Sequence, residues 1–420
     1  MKPTQFTTIL ICFLMNMLDG MDVMVISYTA PSIAKEWVIE SSKLGLVFSA
    51  GLLGMAIGAM FLASKADIIG RRAMILLSAC IIGVCVWSTV FAQNVETLLF
   101  IRFISGIGIG SMLASTATLA SEYSPIKTKD FWVSFAMSGY PIGAVLSGMV
   151  AAKVIPIEGW KTMFQVAGIV TLLTLPIIYF FLSESLDFLL KTRPQNALHR
   201  ANEILKKLQL SQLTELPTIE KSIKKASVAE LFSDNRKPNT LWLWLSIFMA
   251  FATLYFLTMW TPKLAANTGL STELAIYAGT VFNLGAFFGI ISQGYLSSKF
   301  GLKQVIFGYL MFTALLMLVF GQFQGSVLVL ILFGLIGFGI QGGFIGMYAI
   351  AAKLYPTQVR TTGVGWAIGL GRLGAVIGPI IGGLLIGAGL TMTTNFIIFA
   401  IPTIISGIAI LFISLENNER

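Results

Sequence analysis

The run FTTILICFLMNMLDGMDVMVISYTA, residues 6–30, decides the fold, because it is apolar and long enough to cross a membrane and yet contains two acids. A helix of ~20 residues that starts at about Phe6 rises ~1.5 Å per residue, which puts Asp19 and Asp22 roughly halfway through the hydrocarbon. Their i, i+3 spacing places both on one helix face. A charge at that depth costs ~2.5–3.5 kcal/mol. The pair therefore requires a water-filled cavity, a cationic partner or a proton.

The composition assigns the rest of the chain to the membrane as well. Of its 420 residues 56% are hydrophobic and 11% are charged, whereas soluble domains carry about 25% charged residues. The first apolar run continues past Asp19 without a site typical of signal-peptide cleavage, so we expect this span to stay. Windows of spanning length lie at about 6–30, 44–64, 73–92, 97–121, 131–152, 161–182, 239–262, 274–296, 304–322, 326–352, 361–388 and 392–415. The sequence predicts an all-α membrane protein with twelve transmembrane helices.

The distribution of cations sets the predicted orientation. With both termini cytoplasmic, the segments on that side hold 21 of the 28 Lys and Arg residues, and the opposite segments hold five. This asymmetry follows the positive-inside rule and explains the net charge of +9 better than a nucleic-acid partner does. We therefore expect a multi-pass protein of the cell inner membrane. The two remaining cations, Arg102 and Arg372, lie inside spans.

One sizeable polar stretch divides the spans into two groups of six. We expect an N-terminal six-helix half at 1–182, a cytoplasmic central loop at 183–238 and a C-terminal half at 239–420. Within the loop, ALHRANEILKKLQL (197–210) has the spacing of an amphipathic helix that lies against the inner leaflet. It contains the single histidine, His199, which we expect to be solvated rather than to carry protons.

The two halves are internal repeats. Glycines and prolines recur 231 residues apart, at Pro31 and Pro262, Gly54 and Gly285, Gly58 and Gly289, Gly70 and Gly301, Gly106 and Gly337, and Gly143 and Gly374. A constant offset without gaps is hard to obtain by chance, even in a chain with 41 glycines. Parallel repeats of this kind predict a substrate site between the halves, near the middle of the membrane.

A charged loop, ASKADIIGRR at residues 63–72, joins the second and third predicted helices. We expect Asp67 near the start of the third helix, where the helix dipole favours an anion. Gly70 permits a tight turn, and Arg71 and Arg72 are expected to face water.

This loop resembles the signature of the major facilitator superfamily, G-x-L-x-D-R-x-G-R-R, with Ala63 and Ile68 as departures from it. The resemblance implies the major facilitator fold, two parallel six-helix repeats. It also implies that Asp67, Gly70 and Arg71 belong to a cytoplasmic gate. The alternative is an ordinary charged turn.

Charges at matching ends of the fourth and tenth helices suggest a second part of this gate. SEYSPIKTKD (121–130) contains Glu122, and AKLYPTQVRTTG (352–363) contains Arg360. Such charges can hold the cytoplasmic ends of the halves together through loop cations. Helix-end charges that snorkel to water are an alternative with nearly equal support.

Three further motifs resemble those of the aromatic acid:proton symporter family. They are DGMD (19–22) in the first helix, IRFISGIGIG (101–110) in the fourth and GRLGAVIGP (371–379) in the eleventh. The resemblance covers nearly the whole chain and is most specific in the first helix. It implies that Asp19, Asp22 and Arg102 take part in transport, and it extends that role to Arg372.

The residue types support these roles independently. An arginine in a membrane helix usually pairs with an acid, a carbonyl or a ligand, and a guanidinium can bind a carboxylate through two hydrogen bonds. Desolvation favours a neutral aspartate, whereas a nearby arginine favours the anion. We expect Asp22 rather than Asp19 to carry the proton, and we expect an anionic substrate to bind near Arg102 and Arg372. The alternative is that both acids, Arg102 and Arg372 form a fixed buried network.

Three other polar residues in the spans, Asn283, Gln341 and Tyr140, are candidates for hydrogen bonds to a substrate. Hydrogen bonding between helices is the better-supported alternative for each of them. The segment SESLDFLLKTR (183–193) lacks the prolines common after the sixth helix of sugar porters, which slightly weakens a sugar-carrier interpretation.

The first functional hypothesis is a proton-coupled secondary transporter that imports a small organic anion, an aromatic acid or related carboxylate, by alternating access. The second is a sugar or neutral-metabolite carrier, or an exporter, of the same superfamily. The third is a membrane enzyme or receptor, which the single histidine and the lack of a GxxxxGK[ST] loop disfavour. The expected partners are the organic anion, protons and the lipid bilayer. We expect no cofactor, no metal and no nucleic acid, and a transporter that acts as a monomer.

Overall fold

The computed structural model describes residues 1–217, 228–233, 236–323, 325–356 and 359–414. Within these ranges, twelve helices are long and apolar enough to cross a membrane, which confirms the predicted fold class. They are α1 Pro3–Glu36, α2 Ser41–Ile69, α3 Arg71–Phe91, α4 Val95–Tyr123, α5 Phe131–Glu158, α6 Trp160–Phe181, α7 Lys237–Asn267, α8 Thr272–Phe300, α9 Leu302–Gln322, α10 Ser326–Leu354, α11 Thr362–Gly387 and α12 Met392–Leu411.

The helices begin and end where the local chemistry of the chain allows. Asn94 caps α4, because its side chain accepts a hydrogen bond from the backbone N–H of Thr97 at 2.8 Å. Gly70 separates α2 from α3 with φ +101°, and Gly301 separates α8 from α9 with φ +90°. Only glycine adopts such angles without strain. Each half therefore turns sharply at an equivalent glycine, as the repeat predicts.

Contacts along the chain divide it into two compact units. The first comprises residues 1–25, 53–144 and 161–223, and the second comprises residues 26–52, 145–160 and 224–420. The last part of α1, the first part of α2 and the last part of α5 thus belong to the second unit. The domain boundaries expected from the sequence remain a prediction.

Close helix packing inside the first unit depends on glycine. A Cβ atom placed at Gly54 or Gly58 of α2 would collide with the backbone carbonyl oxygen of Phe103 or Ile107 in α4. One at Gly143 of α5 would collide with the carbonyl oxygen of Met17 in α1. Small residues at these positions let the helix backbones touch.

The second unit repeats this packing at the same sequence offset. Gly285 and Gly289 of α8 contact the carbonyl groups of Gly334 and Phe338 in α10, and Gly374 of α11 contacts that of Phe248 in α7. Both the glycines and the carbonyls that they meet lie 231 residues after their counterparts in the first unit. The repeat predicted from the sequence is therefore confirmed at the level of individual contacts.

The polar segment after α6 folds into two short helices, Leu186–Thr192 and Ala197–Lys207. The second coincides with the predicted amphipathic helix, and its buried side chains are Ala197, Ala201 and Ile204. The side chain of His199 is 77% exposed and lies 3.4 Å from a carboxylate oxygen of Glu203. This confirms that the histidine is solvated.

Candidate functional site

A buried ion pair lies in the first unit, between α1 and α4. The Nη1 atom of Arg102 lies 3.1 Å from Oδ1 of Asp22, and the two side chains are 3% and 1% exposed. Arg102 Nη2 also donates to the backbone carbonyl oxygen of Asp22 at 3.2 Å. The guanidinium thus holds both the side chain and the backbone of this residue. Arg102 therefore pairs with an acid, as expected for an arginine in a membrane helix.

Asp19 differs from Asp22 in its surroundings. It is 1% exposed, and neither of its carboxylate oxygens has a hydrogen-bond partner among the described residues. The two acids share a face of α1, but the only guanidinium described next to them is bonded to Asp22. A buried carboxylate without a partner is costly, whereas a protonated carboxyl is much less so. The structure thus provides one paired acid and one unpaired acid.

Asn16 lies one turn before Asp19 and was not predicted from the sequence to be a site residue. The amide nitrogen of this fully buried side chain donates to the carbonyl oxygen of Cys12 at 2.8 Å and to Oγ1 of Thr116 at 3.2 Å. Its Oδ1 atom has no hydrogen-bond partner among the described residues. Asn16 therefore joins α1 to α4 beside the unpaired acid and keeps a free acceptor there. Its spacing of three residues from Asp19 was the available sequence signal.

Arg372 lies in the second unit, on α11, and is half-buried. No described residue forms a hydrogen bond or an ion pair with its guanidinium. It interacts electrostatically with the phenols of Tyr255 on α7 and Tyr348 on α10. This cation is therefore available to an anionic ligand, unlike Arg102.

The other predicted substrate-binding residues have different surroundings. Asn283 is 2% exposed and donates to the carbonyl oxygen of Gly279, one turn earlier in α8, at 2.9 Å. It also interacts with the hydroxyl of Tyr28 in the second unit. Gln341 is half-buried and has no hydrogen bond to the described part of the chain. Tyr140 is half-buried in α5, where its carbonyl oxygen contacts Gly20 of α1.

The α2–α3 turn brings together three of the predicted gating residues. Asp67 Oδ1 lies 2.7 Å from Nη2 of Arg71, and Oε1 of Glu122 lies 4.0 Å from Nε of the same arginine. Gly70 provides the turn between the two chain segments. The three charges thus form a cluster around Arg71, at the junction of α2, α3 and α4.

Two expectations about this turn were wrong. Asp67 lies before Gly70, in the last turn of α2, and the acid at the start of α3 is instead Glu184, whose Oε1 accepts from the backbone N–H of Arg72 at 3.0 Å. The carboxylate of Glu184 also accepts a hydrogen bond from the backbone N–H of the next residue, Ser185. Neither arginine faces water freely, since the side chain of Arg71 is 17% exposed and Arg72 donates to the carbonyl oxygen of Tyr179 and lies over that ring. Chain distance concealed Glu184, which is 112 residues from the helix that it caps.

Arg360 lies at the exposed start of the α11 segment. Its Nε donates to the carbonyl oxygen of Tyr355 at 3.2 Å, and the hydroxyl of Tyr355 reaches Oγ1 of Thr240 in α7 at 3.3 Å. The arginine thus connects the start of the α11 segment to the end of α10 in the second unit. Its proposed gating role remains a prediction.

Within the second unit, the later part of α1 and the first part of α2 attach to α7 and α11. Ser27 Oγ donates to the carbonyl oxygens of Thr258 and Met259 at 3.0 and 2.9 Å, and Ser49 Oγ donates to that of Val376 at 2.6 Å. Gly45 of α2 lies so close to α11 that a Cβ atom would sit 2.7 Å from the carbonyl oxygen of Pro379. These serine and glycine contacts therefore connect segments from both sequence repeats.

Comparison with known proteins identifies the class of this molecule. The family model of the Major Facilitator Superfamily matches residues 12–293 and 264–420, which together cover nearly the whole chain. The solved structure of the xylose transporter XylE from E. coli, in a partially occluded inward open conformation, superposes with a TM-score of 0.77 at 17% identity and covers 99% of both chains. The chain belongs to the Major Facilitator Superfamily of membrane transporters. It is thus a transporter and not an enzyme.

Sequence relatives narrow this assignment. The 4-hydroxybenzoate transporter PcaK of Acinetobacter baylyi is 32% identical over 98% of this chain and 91% of its own length. The gallate transporter of Pseudomonas putida is 31% identical over 97% of this chain and 91% of its own length. Within the superfamily, this chain is therefore similar over nearly its full length to proteins that transport aromatic acids.

Proposed function

We propose that this protein imports an aromatic carboxylate together with a proton, by alternating access. The observation that carries the proposal is the unpaired Asp19 next to the buried pair of Asp22 and Arg102, in a chain about 31% identical to transporters of hydroxylated benzoates. A position in the cell inner membrane, with both termini in the cytoplasm, agrees with the distribution of lysine and arginine. We propose that the protein acts there as a monomer.

We assign the proton to Asp19. Asp22 is paired with the guanidinium 3.1 Å away, and an acid that already has a permanent cation beside it gains less from a proton than an unpaired acid does. Asp19 has no such partner, so a proton removes the electrostatic cost of its burial. This assignment reverses the sequence-based preference for Asp22. It keeps the underlying idea that one acid is structural and the other carries the proton.

We assign the carboxylate of the substrate to Arg372. A guanidinium without an ion pair can offer two parallel hydrogen bonds to a carboxylate. Arg102 is a poorer candidate, because two of its nitrogen atoms are already bonded to Asp22. Among the remaining candidates, Gln341 retains free hydrogen-bonding capacity, whereas Asn283 and Tyr140 have partners inside the protein.

We assign the gating role to the α2–α3 turn. Its acids, Asp67 and Glu122, lie on either side of Arg71, so a conformational change that moves α2 or α4 would break at least one ion contact. The contact with Asp67, whose side chain is 70% exposed, contributes only ~0.2–1 kcal/mol. Such a small contribution suits a contact that must form and break in every transport cycle.

Uptake of labelled 4-hydroxybenzoate into proteoliposomes tests the coupling. The wild-type protein should accumulate substrate under an inward proton gradient, and a protonophore should abolish accumulation. Asp19→Asn should still exchange substrate across the membrane at equal concentrations but should lose gradient-driven accumulation. Glu203→Gln, which changes an exposed acid of the central segment, is the matched control and should behave like wild type. Accumulation by Asp19→Asn as strong as that of wild type would refute the assignment of the proton to this residue.

A further inference from the structure

Four aromatic side chains line α7 and α10 beside Arg372, all within the second unit. Phe251 and Tyr255 lie one turn apart on α7, with ring centroids 5.9 Å apart and nearly parallel planes. Phe344 and Tyr348 lie one turn apart on α10, with centroids 5.4 Å apart and perpendicular planes. The two phenylalanines meet edge to face at 4.6 Å. The four rings form a continuous group, which we call the α7–α10 ring cluster.

Burial divides the cluster into a base and an accessible edge. Phe251 and Phe344 are 3% and 7% exposed, whereas Tyr255 and Tyr348 are half-buried. Neither phenol has a hydrogen bond to the described part of the chain. A tyrosine within a helix bundle usually finds a partner for its hydroxyl group. Two unpaired phenols beside one apolar base thus indicate a surface built for a ligand.

The charge beside the cluster defines the ligand. Arg372 interacts electrostatically with both phenols, and the preceding residue, Gly371, lies so close to Phe251 that a Cβ atom would collide with that ring. One guanidinium, two phenols and an apolar aromatic base therefore lie together. A cation binds a carboxylate, aromatic rings bind an aromatic ring by stacking or by edge contacts, and phenols exchange hydrogen bonds with hydroxyl groups.

We propose that Tyr255 and Tyr348 are the specificity-determining residues that recognise a ring hydroxyl of the substrate. The proposal rests on the proposed function, because it takes an aromatic carboxylate bound to Arg372 as its starting point. The ring of the substrate packs on the α7–α10 ring cluster with its carboxylate on Arg372. The hydroxyl at ring position 3 or 4 then points away from the guanidinium and bonds to one of the phenols. The preferred substrate class is hydroxylated benzoates rather than benzoate itself.

Binding measurements on the purified transporter test this assignment. Affinities for benzoate, 3-hydroxybenzoate and 4-hydroxybenzoate are measured by competition with labelled 4-hydroxybenzoate. The wild-type protein should prefer one hydroxylated ligand over benzoate by about 3- to 10-fold, the range expected for one neutral hydrogen bond. Tyr255→Phe or Tyr348→Phe should remove most of that preference. Tyr295→Phe, which removes a hydroxyl from a side chain 70% exposed on α8, is the matched control and should keep it.

A second measurement needs no variant. The fluoro analogues of the same ligands retain the ring and the carboxylate but offer neither a hydroxyl donor nor an effective acceptor, so wild-type protein should bind them no better than benzoate. The proposal would be overturned if Tyr255→Phe and Tyr348→Phe kept the wild-type preference for hydroxylated benzoates over benzoate. It would also be overturned if the variants lost affinity equally for benzoate and for its hydroxylated forms, because the phenols would then contact the carboxylate or the ring rather than the ring hydroxyl. If wild-type protein binds none of these acids, the proposed function itself fails.

Discussion

The buried pair of Asp22 and Arg102 should contribute to the stability of the fold by an amount that follows from its geometry. At 3.1 Å, two unit charges attract each other by about 5 kcal/mol at an effective dielectric constant of 20. Breaking a buried pair by removing one partner typically costs ~3–5 kcal/mol, whereas replacing both partners is often nearly neutral. The single variants Asp22→Asn and Arg102→Gln should therefore be much less stable than the double variant.

The two single variants should also differ from each other. In Asp22→Asn the new amide would still accept a hydrogen bond, but Arg102 would keep a buried charge, because a guanidinium cannot lose its proton in a protein. In Arg102→Gln the remaining carboxyl group can take up a proton and become neutral. We therefore expect Asp22→Asn to be the most destabilised variant, followed by Arg102→Gln and then by the double variant.

Thermal unfolding of the purified proteins in detergent at neutral pH measures this order. Asp19→Asn serves as the matched control in the same helix, since it removes an acid that has no partner among the described residues. Its midpoint should equal or exceed that of wild type. Equal and additive losses from the two single variants, with no recovery in the double variant, would refute the view that this is a structural ion pair.

Three further predictions concern packing and turns. Gly143→Ala and Gly374→Ala should each lower the unfolding midpoint, because the new methyl groups would collide with backbone carbonyl oxygens at a cost of ~1–3 kcal/mol, whereas Gly365→Ala in α11 enters open space and should not. Glu184→Gln should lower the free energy of unfolding by a smaller amount, ~0.3–1 kcal/mol, since it removes an anion from the start of α3. An unchanged unfolding midpoint in low salt would contradict this. Gly45→Val should slow uptake, because the side chain would separate α2 from α11, and wild-type rates would count against a tight contact there.

The number of helices and the repeat could be predicted because both depend on local properties of the chain. A membrane helix needs ~20 apolar residues regardless of its neighbours. Glycines at a constant offset of 231 residues mark equivalent close contacts, as Gly54 with Phe103 and Gly285 with Gly334 illustrate. The error at Asp67 also has a local cause. The turn at Gly70 excludes this acid from α3, and a single sequence does not show on which side of such a turn a helix begins.

The contacts of the candidate site were less predictable, because they join residues far apart in the sequence. The spacing of Asp19 and Asp22 places both acids on one helix face but does not show which of them a distant cation reaches. It therefore could not show that Arg102, eighty residues later, bonds to the second acid. Tyr255 and Tyr348 were hidden for a different reason. In a chain with 12% aromatic residues, contact with lipid is the ordinary role of such side chains. Only their position beside Arg372 sets these two apart.

The proton assigned to Asp19 predicts a coupling ratio. A monovalent carboxylate that crosses the membrane alone carries one negative charge, which is costly inside the membrane. One proton carried with it makes the transported pair neutral. We therefore expect one proton to enter with each aromatic monocarboxylate. Uptake into proteoliposomes should respond to a pH gradient but not to a potential set with potassium and valinomycin, and uptake driven by the potential alone would contradict this balance.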